Sequence, residues 1–334
     1  MQPNSARAEP IRNVATHLIT GFLGVGKTSA ILSLLAQKPE QEKWAVLVNE
    51  FGKIGIDGAI YTVAGVTVKE IAGGCLCCAV GLPFQVSVNR LLKEVRPHRL
   101  LIEPTGLGHP KKVLDMLLTE SFKEVLDLKA SICLVDPEKL KDSRYTQHEN
   151  FIDQIALSDV LVANKMDLAD SEAINLFHEW ANNISPEKSV VAQTQQGHLD
   201  AAWLDLERNP LRQAVFPNAH SNSKLFPVNK ADSLLSNKAD GYQSAAYIFP
   251  EEDCFDYKQL KVFLRQLKVE RIKGILKTNK GWLIVNGSHG NINYTPIKAS
   301  ESSRIEIIAS QYGLLDISTA LKQIIDPSIV FEKS

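Results

Sequence analysis

Long hydrophobic runs are missing from this 334-residue sequence, and none approaches the roughly 18 apolar residues of a membrane-spanning helix. An excess of charge of either sign is also missing. With 37 Lys and Arg against 38 Asp and Glu, the formal net charge is -1, so no overall field draws the chain to nucleic acid or anionic lipid. The opening stretch, MQPNSARAEPIRN, has no continuous apolar core, so no secretory signal is expected and a cytoplasmic location follows. Internal repeats and low-complexity tracts are absent, and the eight histidines are scattered. Cysteine is scarce: of five, only Cys75, Cys77 and Cys78 cluster, while Cys133 and Cys254 stand alone. A disulfide scaffold is thereby excluded, and clustered thiols in a reducing compartment point to metal or redox chemistry. Cys133 lies within the apolar run SICLV and reads as a core residue; Cys254 has no evident role.

The length favours two domains, since single cores rarely grow past about 250–300 residues. Val14–Thr20 is short and rich in β-branched residues, and WAVLVNE, RLLIEP, ASICLVD and DVLVANK follow the same pattern. They are apolar without alternation, as strands buried on both faces should be. Helical spacing appears in SAILSLLAQ, PKKVLDMLL and SEAINLFHEWANN, and the alternation predicts a doubly wound parallel α/β sheet over residues 12–210. Residues 211–240, rich in Asn, Ser and Lys, read as a linker. Over 241–330, YQSAAYIF, RIKGILKT, GWLIVN, NINYTPIK and RIEIIAS read as strands. DYKQLKVFLRQL and the stretch after Leu314 read as helices, giving a smaller α+β domain with a mostly antiparallel sheet.

Chemistry enters at residues 21–28, GFLGVGKT, which fit G-x-x-x-x-G-K-[ST] between a strand and a helix. Gly21, Gly24, Val25 and Gly26 would curl their backbone N–H groups around phosphates, with Ser29 in the first helical turn. Lys27 would reach the β- and γ-phosphates, and Thr28 would join the Mg²⁺ shell. Residues 164–167, NKMD, follow the strand DVLVA. There Asp167 can accept from the guanine N1 and exocyclic amine, while Asn164 and the Lys165 stem pack and bond around the base. Adenine offers no such donor pair, so GTP is the expected nucleotide. Glu103 ends RLLIE and would orient the Mg²⁺ water shell; the Gly106 amide beyond it would sense the γ-phosphate. Asp57, in GKIGIDG, is a candidate for contact with metal-bound or attacking water. The catalytic candidates are therefore Lys27, Asp57 and Glu103.

Residues 73–78 read GGCLCC. A bridge between Cys77 and Cys78 would be strained, whereas three thiolates suit a soft or borderline cation such as Zn²⁺ or Co²⁺. A closed structural zinc site needs four ligands, and no second CxxC or HxxxH occurs, so an open site with a transferable ion is the natural reading. A redox-regulated GTPase switch, or a zinc-storage module with weak GTPase activity, stays open beside it.

GFLGVGKT, NEFGKIGIDG (49–58), GGCLCC, EPTGLG (103–108) and NKMD occur in this order. As a set they resemble the CobW-type metal-chaperone GTPases, relatives of the nickel-insertion GTPases of urease and hydrogenase. The resemblance covers roughly residues 14–200 and only loosely the C-terminal part, through RIKGILKT, Trp282 and RIEII. It implies a metal-stimulated GTPase that binds zinc, or cobalt, at Cys75, Cys77 and Cys78 in the Mg·GTP state, and delivers it to a client metalloprotein on hydrolysis. Gly24, Gly26, Lys27, Thr28 and Glu103 would hold Mg·GTP, and Asn164 and Asp167 the guanine. The sequence departs from relatives that carry a histidine-rich tract, or acidic residues where this chain has Val48 and Lys53, so accessory metal sites of those kinds are not expected. His109, near the GLG turn, reads as a surface or capping residue rather than a ligand. No arginine finger is evident, so slow intrinsic turnover is expected. The fourth metal ligand, the client and homo-oligomerisation are not fixed by these residues.

Overall fold

The computed structural model describes residues 9–48, 67–70, 82–104, 110–217, 235–239, 242–250, 252–288, 290–298, 300, 302–310 and 317–325. The expected sites Asp57, Cys75, Cys77, Cys78, Gly106 and His109 lie outside them.

The first sheet has eight strands. They are β1 (Val14–Gly21), β2 (Trp44–Val48), β3 (Thr67–Glu70), β4 (Arg99–Glu103), β5 (Leu126–Leu128), β6 (Ile132–Val135), β7 (Val160–Ala163) and β8 (Val190–Gln193). Their order is β3-β2-β4-β1-β6-β7-β8, with β5 also paired to β1, and every pairing is parallel. Neighbouring residues of one strand enter different cores, because successive side chains leave opposite faces. Val46, Val48 and Leu101 pack on one side with Ile31 and Leu34 of α1 (Lys27–Ala36). Leu47, Leu100 and Ile102 pack on the other with Val88 and Leu91 of α2 (Leu82–Val95) and Val113 and Leu117 of α3 (Pro110–Leu117). Phe151 and Ile155 of α4 (Glu149–Leu157) and Phe177 of α5 (Ser171–Asn182) join the α1 side. The sheet is thus doubly wound, as its apolar strands dictate. Cys133 is 1% exposed on β6, and burial pushes its thiol up to about 11, as suits a core residue.

Residues 209–216 remain tied to this layer. Arg212 pairs with Asp159 at 2.8 Å and donates to the carbonyls of Pro186 and Glu187, while Asp153 accepts from the amides of Val215 and Phe216. Within the stretch read as a linker, Leu235–Ala239 forms a further strand, β9.

The second sheet is antiparallel, in the order β13-β12-β11-β14-β10-β9. Its other strands are β10 (Tyr242–Phe249), β11 (Arg271–Thr278), β12 (Gly281–Ser288), β13 (Asn291–Ile297) and β14 (Ser303–Ser310). One face, with Ile272, Leu276, Val285, Ile305 and Ile307, is covered by α6 (Tyr257–Gln266) and α7 (Ile317–Gln323) through Leu260, Leu264 and Leu321. The opposite face does not end in solvent. Ala246, Ile275 and Ile284 pack against Leu32 of α1, and Ile308 enters the core of the first sheet. The second sheet therefore lies against the helix that follows the phosphate loop.

Candidate functional site

The loop from β1 to α1 holds the phosphate-binding sequence. Gly26 precedes the helix at φ 100, and a Cβ there would sit 2.5 Å from Asn164 Nδ2, so glycine is required both for the turn and for the space. Asn164 directly follows β7 and is 2% exposed. Its Nδ2 donates to the Val25 carbonyl at 2.8 Å, and its Oδ1 accepts from the Gly197 amide at 3.0 Å. Gly197, at φ 75, would place a Cβ 2.7 Å from Ala30 N, so its backbone lies directly on the first turn of α1. Asn164 thus braces two loops against each other. Beside the guanine contact expected of it, its two hydrogen bonds set the distance between the phosphate loop and the loop after β8.

Lys27, 6% exposed, folds back and donates to the carbonyls of Gly21 at 2.9 Å and Phe22 at 3.2 Å. Burial pushes its pKa down to about 8; Glu103 pulls it back up, and Arg271 adds to the depression. Thr28 donates from its hydroxyl to Glu103 Oε1 at 3.1 Å, joining residues 75 positions apart. Glu103 is 3% exposed at the C-terminal end of β4, next to β1 in the sheet. A loop at the carboxyl ends of adjacent parallel strands is where α/β sheets bind ligands. Thr28 and Glu103 form a pair of hard oxygen donors at the helix N-terminus, a set suited to Mg²⁺ and unsuited to a soft ion.

Lys165 adopts a left-handed φ of 64 and pairs with Asp136 Oδ2 at 3.0 Å, which fixes the turn that carries Asp167. Gly24, Gly26, Lys27, Thr28, Ser29 and Glu103 line one cleft with Asn164, Lys165 and Asp167. About 820 Å³ of space free of atoms, open solvent included, lies within the cleft. Gly21 and Val25 support it from behind: Val25 is fully buried in the core and Gly21 offers its carbonyl to Lys27.

Sequence reasoning missed part of this lining. Leu168 and Gln196 complete the side near Asp167, and Arg271, Lys273, Asn286, Gly287, Asn291 and Asn293 come from the second sheet. Lys273 Nζ donates to Thr28 Oγ1 at 2.8 Å across 245 positions of sequence. Gln196 and Gly197 had only a faint signal, a glycine closing the polar stretch QTQQG, and although RIKGILKT reads as a strand, nothing local marked β11 as part of the cleft. Among the described residues, no group of three or more His, Cys, Asp or Glu could hold a metal ion.

The family described as CobW/HypB/UreG, nucleotide-binding domain, matches residues 15–192. The zinc chaperone YeiR of Escherichia coli (strain K12) is 42% identical over 307 residues, covering 88% of this chain and 93% of that protein. The zinc chaperone CobW of Pseudomonas aeruginosa is 31% identical over 235 residues, covering 59% of this chain and 62% of that one. The crystal structure of the Zn(II)-bound YjiA GTPase from E. coli aligns with 94% of this chain and 99% of its own, at 18% identity and a TM-score of 0.43.

Proposed function

The chain belongs to the CobW/HypB/UreG family as a GTPase, and from that premise we propose that it is a metallochaperone whose zinc site is gated by GTP. Cys75, Cys77 and Cys78 hold the zinc cargo in the Mg·GTP state and release it to a client metalloprotein after hydrolysis. The observation that carries this reading is the joined geometry of the cleft. Lys27, the Thr28–Glu103 pair and the Asn164 clamp meet at one helix N-terminus, with Asp167 on the same lining. The similarity to zinc chaperones supports zinc as the cargo.

The chain's own groups divide the work. Lys27 exchanges its bonds to the Gly21 and Phe22 carbonyls for phosphate oxygens. Amides of the Gly24–Gly26 turn and the N-terminus of α1 add partial positive charge. Thr28 and Glu103 fit Mg²⁺, which when bound would neutralise charge on the β- and γ-phosphates. Asp167 selects guanine, because adenine would leave its carboxylate unmatched. Gly106 and Asp57, which follow β4 and β2 in sequence, are the proposed reporters of the γ-phosphate. The NEFGKIGIDG segment precedes the cysteine cluster in sequence, and it is the proposed route of gating.

The test is zinc affinity by chelator competition, with a Mg·GTP analogue and then with Mg·GDP. At least tenfold tighter zinc binding with the analogue is expected, about 1.4 kcal/mol of coupling. Equal affinities would remove the gating. Dependence of GTPase rate on thiol oxidation rather than on zinc would favour the redox-switch alternative.

A further inference from the structure

The antiparallel sheet brings a row of side chains to the nucleotide cleft that the GTPase motifs do not contain. Residues directly opposite one another in the ladder share a face. Register places Glu306 of β14, Lys273 of β11, Asn286 of β12 and Asn293 of β13 in one transverse row. Arg271 lies two residues before Lys273 on the same strand, so it shares that face. Ile275, two residues after Lys273, packs beside Leu32 of α1, which fixes this face as the one toward the nucleotide domain.

Lys273 is 4% exposed and Arg271 8%, although both line the cleft. Four cationic side chains line it, namely Lys27, Lys165, Arg271 and Lys273, with the carboxylates Glu103 and Asp167; Lys165 is paired with Asp136, and Glu306 stands buried across from Lys273. Burial is the main cause of the lowered Lys27 pKa, and Arg271 is a lesser one, so the guanidinium on β11 lies within electrostatic reach of the phosphate-loop ammonium. The position along the ligand is also fixed. Thr28 is the hydroxyl at the terminal-phosphate end of this loop type, so an ammonium hydrogen-bonded to it stands beside the β- and γ-phosphates and away from the base.

We propose that Lys273, assisted by Arg271, is a ligand of the terminal phosphate supplied by the C-terminal sheet, and that this sheet thereby distinguishes GTP from GDP. The inference rests on the guanine-nucleotide reading of the cleft. A divalent ion on Thr28 would displace the ammonium from that oxygen, and the adjoining phosphate oxygen is the partner the proposal assigns to it. The C-terminal sheet is then drawn onto the nucleotide domain in the triphosphate state and held less firmly in the diphosphate state.

Affinities of the full-length protein for fluorescent GDP and for a non-hydrolysable GTP analogue, both with Mg²⁺, test this. Lys273→Met should weaken the GTP analogue about tenfold to a hundredfold, the range for loss of a charge-assisted hydrogen bond, and change GDP by less than about twofold. Lys273→Arg should restore most of the loss. Because Glu306 is buried across from Lys273, a Lys273→Met, Glu306→Gln double variant removes both charges and guards against a folding defect in the single one. An equal loss for GDP and GTP analogue, or no loss for either, in the double variant overturns the proposal. Lys27→Ala separates the two levels: if it binds both nucleotides like the unmodified protein, the phosphate-loop reading itself fails. If it loses both, that reading stands whatever Lys273 does.

Discussion

Asn164 is a residue whose worth is measured in the distance it keeps. With Nδ2 on Val25 and Oδ1 on Gly197, it ties the phosphate loop to the loop after β8. Asn164→Ala leaves a buried carbonyl and amide without their partner, at about 1–3 kcal/mol each. Guanosine and phosphate contacts should loosen together, so GDP and GTP-analogue affinities fall in parallel and the urea midpoint drops; a change in one nucleotide only would contradict the bracing role. Lys27 adds a pH signature. Its folded pKa, about 8, lies below its ordinary value of 10.5. The empty protein therefore gains stability from this group as pH rises from about 8 to 10.5, where the unfolded chain holds the extra proton. Phosphate binding needs the charged form, so affinity is full below pH 8 and declines above it, by up to about tenfold per pH unit. Titration calorimetry with GDP at pH 7, 8 and 9 checks this, and a flat profile would show that Lys27 keeps its charge without the ligand.

At the scale of elements, how plainly a strand could be read followed its burial. β1, β2, β4, β6 and β7 are almost wholly buried, so their apolar runs announce them. β5 is three residues long, and β8 alternates partly buried and exposed positions, so neither stands out from loop sequence. β9, LSNKA, has almost no apolar content and is held by its pairing with β10. The stretch after Pro210 looks like a connection by composition, yet Arg212 makes it part of the first domain's framework. Both side chains of the Arg212–Asp159 pair are at most 2% exposed. Arg212→Ala should cost about 3 kcal/mol, the low end for breaking a buried pair, because Asp159 also accepts from the amides of Ser131 and Asn209. Chemical denaturation followed by far-ultraviolet dichroism measures it; a loss under about 1 kcal/mol would mean that water reaches Asp159 readily.

Over the whole molecule, the motifs that could be read were those in which neighbours in sequence are neighbours at the ligand. GFLGVGKT and NKMD each complete their geometry within eight residues or fewer. The Lys273–Thr28 contact closes over 245 positions, and no local pattern can encode it. Reciprocity governs the proposed zinc–GTP coupling: zinc must tighten GTP-analogue binding by the same factor by which the analogue tightens zinc. Measuring both affinities closes the cycle, and unequal factors would reveal a further bound species. Amide hydrogen exchange offers a second whole-molecule readout. Protection in β11 and β12 should rise severalfold with the GTP analogue and less with GDP; identical protection would mean that the second sheet does not follow the nucleotide.

The alternation along β11 makes the cleft depend on odd and even counting. Arg271, Lys273 and Ile275 face the nucleotide domain, while Ile272 and Leu276 face α6 and α7. One residue inserted between Gln266 and Arg271, with the strand slipping along β14 to absorb it, would trade the two sets: isoleucine into the cleft and lysine into the helical core. Two inserted residues would restore the faces and only lengthen the approach. Length variation in this connection should therefore be tolerated in pairs, a parity rule imposed by the pleat of a single strand.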